Sequence, residues 1–348
     1  MRRVGANELA SQTVAAQRLS SRSRPKIAPS LAVVIAALGL LGVLFQAFGK
    51  GFGEKGNLPT FVLVTLNGLT LAGLLFITAS GLTLIFGLLR VTNLAHGALF
   101  LLGGYMGLRF INDGIPWFGA ALLAMVVTGL VGLVMHQLFL RWNQGQDMRQ
   151  ALITIALSLI LADQMLAHFG GTPTAIVPPD FLANPLQLGV YGLAYPTFRL
   201  AMLAGALIVG LLFWLVLKRT RVGTVMRAGV DDTAMTSALG INVQLVFAGA
   251  FFVGSALSGL GGVLAGTAYS LAPGQDQSFL VYALVVVIVG GMGSLGGAAL
   301  GAFLYGLVDQ YSSAYLPAAY SNLSALLTFV LLAVVLTVRP TGLFGRAR

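Results

Sequence analysis

Three histidines, His96, His136 and His168, are the side chains of this sequence best suited to metal binding or proton transfer, and each falls in a different apolar segment. No HExxH pair or comparable spacing brings two of them to one metal ion or one acid–base centre. The chain has no cysteine, which excludes thiolate nucleophiles, disulfides, iron–sulfur clusters and cysteine-based zinc sites. It also lacks the GxxxxGKS or GxxxxGKT loop that cradles phosphates, so it does not itself bind ATP in that manner. No cofactor and no metal are expected. What remains is a set of polar groups embedded in apolar runs: Asn67, Asn93, His96, Asp163, Gln164 and Asp309. Polar groups are costly in hydrocarbon and persist there to line a transport path or to pack. Asn93 and His96 lie three apart on one helical face just after Arg90, a spacing that suits a path or the anchoring of a turn. Asp163 and Asp309 fall toward the ends of their segments, where lining a path and hydration at the interface both remain open.

The elements that position these groups are membrane helices. Hydrophobic residues make up 57% of the 348 positions and charged residues 9%, against about a quarter charged in soluble domains. Apolar runs, uncharged apart from Asp163 and long enough to cross about 30 Å of hydrocarbon, lie at Leu31 to Phe48, Thr60 to Leu89, Thr92 to Leu108, Pro116 to Leu140 and Ala151 to His168. Others lie at Leu200 to Leu217, Val243 to Tyr269, Phe279 to Val308 and Asn322 to Val338. A buried soluble core of this size would need many charged helices to cover it, and the sequence has none. The expected fold is all-α, a polytopic membrane helix bundle of about ten transmembrane segments, some short or broken.

Residues 1–30 form a basic arm, with Arg2, Arg3, Arg18, Arg22, Arg24 and Lys26 against Glu8 alone. That composition also suits an organellar transit peptide, but the arm runs straight into the apolar span 31–48 without a convincing cleavage site. A cytoplasmic arm before an uncleaved helix is the expected arrangement. With the N-terminus inside, 16 of the 20 Lys and Arg residues are cytoplasmic, leaving Lys50, Lys55, Arg109 and Arg199 outside. This bias sets the expected orientation, and it accounts for the net charge of +10 without a nucleic-acid partner. Both termini are then cytoplasmic, including the tail 339–348, so the number of crossings is even. Nine runs must supply ten passes, and Phe279 to Val308 is expected to cross twice, turning at Gly290-Gly291-Met292-Gly293-Ser294 near the cytoplasm.

Small residues recur every four positions at Gly254, Ser258, Gly262 and Gly266, and at Gly293, Gly297 and Gly301, each series on one helix face where backbones can approach closely. The proline-rich stretch Gly170 to Pro196 excludes a long helix, and Leu186 to Val190 with Leu193 to Tyr195 suit a short hairpin through Tyr191-Gly192. Segment 218–242 lies between two spans. Asp231 or Asp232 can cap a short helix beginning near Thr233, with Ala234, Met235, Ala238 and Leu239 as its apolar face and Gly240 closing it.

Arg221-Val222-Gly223, Arg227-Ala228 and Gly240-Ile241-Asn242 resemble the coupling loop of the permeases of branched-chain amino acid ABC importers. Other marks follow in that family's order: Asn67-Gly68-Leu69-Thr70-Leu71, Gly81-Leu82-Thr83-Leu84-Ile85-Phe86-Gly87, Arg90-Val91-Thr92-Asn93-Leu94-Ala95-His96-Gly97, Gly290 through Ala298, and Arg339-Pro340-Thr341-Gly342-Leu343-Phe344-Gly345. The Asn93 to Gly97 version resembles the LivH-type inner-membrane subunit. Ala98 stands where that family often carries an acid, and the segment before about Leu58 has no counterpart in shorter members. The resemblance implies a permease domain over 60–338, a LivM-type second permease, two cytoplasmic ATP-binding subunits, a periplasmic solute-binding protein and a setting in membrane lipid. It implies that Arg227, Asp232, Thr233, Ala234, Ala238, Leu239, Gly240 and Ile241 couple the membrane helices to the ATPases. The implied cargo is a branched-chain amino acid or a related small polar solute such as urea, another amino acid or an organic acid. The alternative from another class is a secondary transporter or channel without ATPase subunits, and an intramembrane enzyme is a distant third.

Overall fold

The computed structural model describes residues 58–89, 93–189, 192–231, 233–316 and 324–345, with Gly42 and Gly49 as isolated positions. The basic arm, almost all of the first apolar span, Arg90 and Asp232 lie outside the described residues. The helices in chain order are α1 (Leu58–Leu89), α2 (His96–Asn112), α3 (Trp117–Met135), α4 (Asp147–Phe169), the single turn α5 (Asp180–Ala183) and α6 (Thr197–Arg219). After them come α7 (Arg221–Asp231), α8 (Thr233–Ala238), α9 (Val243–Ala268), α10 (Gln275–Gly290), α11 (Leu295–Tyr315) and α12 (Ser324–Val338). A π turn, His136–Leu140, and a 3-10 turn, Arg141–Asn143, continue α3. The fold is the all-α membrane bundle expected from composition.

Long apolar runs become helices because only a helix satisfies every backbone group inside its own segment in lipid. Their starts follow local chemistry. Pro116 and Pro196 immediately precede α3 and α6, where a missing N–H costs nothing. Asn242 caps α9 by accepting from the Leu245 N–H at 3.2 Å, and Ser294 caps α11 by accepting from the Gly297 N–H at 3.1 Å. Gly170, at φ 77°, ends α4.

Among the described residues five helices, α1, α3 with its continuation, α4, α6 and α9, are long and apolar enough to cross a membrane unaided. Helices α10 and α11 meet at Gly291–Ser294 with a change of direction of 119°, the break expected from the glycines. At 17 and 15 residues α2 and α12 are shorter. A total of ten therefore counts α2, α10, α11 and α12 as crossings and adds the first span, outside the described residues. In the loop before α6, β1 (Pro185–Gln187) and β2 (Ala194–Pro196) pair antiparallel with Leu186 opposite Tyr195, a hairpin slightly shorter than the one expected.

Helix α1 is the axis of the bundle, with Leu74, Leu75, Ile77, Ala79 and Ile85 fully buried. Phe100, Val263 and Leu264 pack on one side of it, and Val286, Ala302 and Tyr305 on the other. Lipid removes the hydrophobic drive between helices, so close packing must hold them. Here glycines supply it: Gly81 faces the Gly254 backbone, Gly103 faces Gly259, and Gly306 faces Gly68, each at a distance that leaves no room for a Cβ. Helices α4 and α6 are peripheral and turn Leu152, Leu159, Leu207 and Leu211 outward.

Candidate functional site

One end of the bundle gathers polar side chains around Asn67, a little over two turns into α1. Its Oδ1 accepts from Tyr195 Oη at 3.0 Å and from Arg199 Nη1 at 3.1 Å. Tyr195 Oη also lies 3.0 Å from Thr70 Oγ1, and the Tyr195 side chain is buried. Arg199 Nη2 donates to the Ala268 carbonyl at 3.3 Å, and its guanidinium carbon sits 5.0 Å from the Tyr269 ring centroid. The hairpin and Pro196 thus aim Tyr195 and Arg199 at α1, while the end of α9 supplies the second wall. Asp309 on α11 is half-buried and accepts from Gln310 Nε2 at 3.0 Å. Tyr282 and Tyr305 are in contact, at 5.4 Å between centroids.

The structure brings Asn67 and Asp309 to this one end and leaves the other candidates elsewhere. Asn93 and His96 are fully buried in the packing between α1, α2 and α9. Asn93 Oδ1 accepts from the Ala95 N–H at 3.1 Å, His96 Nε2 lies 2.9 Å from the Thr78 carbonyl oxygen, and Ser258 Oγ donates to the His96 carbonyl at 2.8 Å. Asn93 Nδ2 and His96 Nδ1 are buried without a partner among the described residues. Asp163 and Gln164 are exposed on α4, on the periphery of the bundle.

At the opposite end, segments distant in sequence form a glycine-rich joint. Gly297 and Gly301 press against the carbonyls of Gly290 and Val286, locking α11 onto α10. Gly293, at φ 81°, lies under Gly87 of α1. The chain after α12 docks on the same corner, with the Leu343 and Phe344 N–H groups donating to the Val289 and Gly290 carbonyls, both at 2.9 Å. Beside this joint, α7 and α8 project from the end of α6. Arg227 donates through Nη1 to the Leu217 carbonyl, tying α7 back to α6. Helix α8 covers Thr233–Ala238, and Gly240, at φ 81°, follows it with its N–H reaching the Ser237 carbonyl at 3.0 Å. Met235 and Leu239, four apart, are 62% and 73% exposed, Ala238 is exposed between them, and Ile241 is half-buried.

This architecture has relatives. A family model described as "Branched-chain amino acid transport system / permease component" matches residues 64–336, well over half of the chain. The chain belongs to this family. Among curated relatives, the high-affinity branched-chain amino acid transport system permease protein BraD of Pseudomonas aeruginosa is 28% identical over 294 residues, covering 80% of this chain and 94% of its own. LivH of Escherichia coli K12 is 28% identical over 308 residues, covering 82% and 96%. A probable LivH of Methanocaldococcus jannaschii is 23% identical over 310 residues, covering 85% and 94%. This permease is accordingly a multi-pass membrane protein of a transport family.

Two groups of the permease were not singled out by sequence reasoning. Arg199 counted there only as a charge outside the membrane, and the signal that marks it is its position three residues after Pro196, where a helix must start and re-enter the bundle. Asp276, only 4% exposed in the first turn of α10, follows Pro273-Gly274 in the same way.

Proposed function

We propose that this permease is the transmembrane subunit of an ATP-driven importer for branched-chain amino acids or related small polar solutes, with α8 as the helix that receives motion from an ATPase subunit. The observation that carries the reading is an exposed apolar pair, Met235 on a short helix held against the bundle and Leu239 in the turn that follows it. A soluble partner with a matching groove would bury both side chains, each contributing roughly 1.5–3 kcal/mol. The arrangement suits force transfer, since Arg227 links α7 to the end of α6 and Asn242 caps the start of α9. Motion of α8 is thereby delivered to two long helices.

On this reading the Lys218 end is cytoplasmic, as are both termini, and the Asn67 end faces the periplasm. The curated relatives are named as permease components of branched-chain amino acid transport systems, which supports a partner permease of the LivM type, two ATP-binding subunits and a periplasmic binding protein. ATP hydrolysis then belongs to the partners and not to this chain. Of the candidate pathway residues, Asn67 and Asp309 line the entrance, while Asn93 and His96 hold the α1–α2 turn. The test is proximity: a Leu239→Cys permease, assembled with ATPase subunits carrying single cysteines around their membrane-facing groove, should form a disulfide cross-link on oxidation. No cross-link with any groove position would contradict the assignment of α8.

A further inference from the structure

Helix α6 ends at Arg219, and after the single extended residue Thr220 the chain turns into α7. Lys218, Arg219, Thr220, Arg221, Thr224 and Val225 line an open cavity of about 400 Å³ at this corner. The segment from Lys218 to Val230 carries four cations and no acid. Arg227 is engaged by the Leu217 carbonyl and by the Thr224 hydroxyl, the latter at 3.4 Å. The one ion pair among the described residues is Arg109–Asp113, so Lys218, Arg219 and Arg221 are unpaired among them. Thr220 Oγ1 accepts from the Gly223 N–H at 3.3 Å, and the Thr220 carbonyl accepts from the Thr224 N–H at 3.2 Å. Of the first four N–H groups of α7, those of Arg221 and Val222 therefore keep no acceptor within the helix.

Lysine and arginine at the end of α6 follow from the helix dipole and from the positive charge of cytoplasmic loops. Arg221 does not, because it opens α7, where the dipole disfavours a cation. A bound anion reverses that penalty by meeting the N–H groups of α7 and three cations at once. The exposed face of α6 shows where the anion comes from. Leu207, Leu211, Trp214 and Leu215 are exposed and recur at three- and four-residue spacing in line with Lys218. One helix face thus passes from hydrocarbon contacts through a tryptophan to positive charge, as at a bilayer interface. We propose that this corner binds the phosphate of an anionic phospholipid, with the head group in the cavity and the acyl chains along that face of α6. The site rests on the membrane setting of the family and not on the importer reading. A phosphate held there joins the end of α6 to the start of α7 and steadies the arm that carries α8.

The test follows thermal unfolding of the full-length permease in detergent while dioctanoyl phosphatidylglycerol is titrated in. Saturable stabilisation is expected, at concentrations where dioctanoyl phosphatidylcholine, whose head group has no net charge, gives none. Glycerol phosphate and inorganic phosphate, which lack acyl chains, should need about tenfold more or beyond. The double substitution Lys218→Gln with Arg221→Gln should raise the half-saturating concentration about tenfold or more, at roughly fivefold for each charge removed. Arg141→Gln with Arg149→Gln removes as many charges from the connection between α3 and α4 and should leave it unchanged. A photoactivatable phosphatidylglycerol locates the site without any substitution, and its cross-link should fall between Trp214 and Val225. Equal stabilisation by the two phospholipids, equal effects of the two double substitutions, or cross-links confined to other segments would overturn the site. Inorganic phosphate as effective as the lipid would mean a free-phosphate site, and loss of the lipid on assembly with ATP-binding subunits would give the corner to a partner's acidic surface. Either result would overturn the lipid assignment.

Discussion

The backbone N–H of Leu343 donates to the carbonyl of Val289 across 2.9 Å, so the chain that follows the last helix is stitched to the C-terminal end of α10. Two glycines make the contact possible. Gly342, at φ 81°, and Gly291, at φ 103°, approach so closely that a Cβ on Gly342 would stand 2.6 Å from the Gly291 Cα. Gly342→Ala should therefore cost roughly 1–3 kcal/mol from the backbone conformation alone, with the overlap added. Thermal unfolding of the purified permease is the measurement, with a clearly lowered midpoint expected and an unchanged one opposing this account of the joint.

Gly297 faces the Gly290 carbonyl with no space for a side chain. Leucine there would force α10 and α11 apart, a strain of about 1–3 kcal/mol or more. The Gly297→Leu permease should give a lower yield of monodisperse protein in detergent. Wild-type yield and stability would contradict the close packing of the bent pair.

Much of this fold is legible in residue types. Apolar run lengths give the helices, and the cluster Gly290 to Ser294 gives the break, because glycines adopt the positive φ seen at Gly291 and Gly293. Gly240 likewise marks the turn after α8. What the sequence does not reveal is which distant segments meet. The docking of Leu343 on Val289, of Gly293 beneath Gly87, and of Arg199 on Asn67 are tertiary contacts between elements each of which is locally unremarkable. The polar candidates illustrate the limit, because Asn67, Asn93 and Asp163 are alike as polar residues in apolar runs. Only packing separates the polar end of the bundle, the buried turn and the exposed periphery where they respectively lie.

The orientation proposed for the bundle places the α10–α11 turn at the cytoplasmic face. A single cysteine at Ser294 in this cysteine-free chain should react with a membrane-impermeant maleimide in inside-out vesicles and stay unlabelled in right-side-out ones. Labelling from the outside only would reverse the topology.

If α8 docks through small apolar contacts, a charge on its exposed face must be buried unpaired. Ala238→Glu should then weaken docking by roughly 3–5 kcal/mol, leaving the membrane bundle folded but uncoupled. The readout is solute-stimulated ATPase activity in the reconstituted complex, which should fall to the unstimulated level. Stimulation equal to wild type would mean that α8 lies outside the docking surface.

The central claim is that this permease moves its cargo only when driven by ATPase subunits docked on it. Uptake of radiolabelled leucine into proteoliposomes tests it most directly, with the permease and its partner permease reconstituted with and without the two ATP-binding subunits, and with binding protein outside the vesicles in the orientation that presents the Asn67 end. The account predicts accumulation against a gradient only when the ATP-binding subunits are present and hydrolysable ATP is available to them. Uptake of equal rate and extent without those subunits, driven by an ion gradient or by the leucine gradient alone, would contradict it.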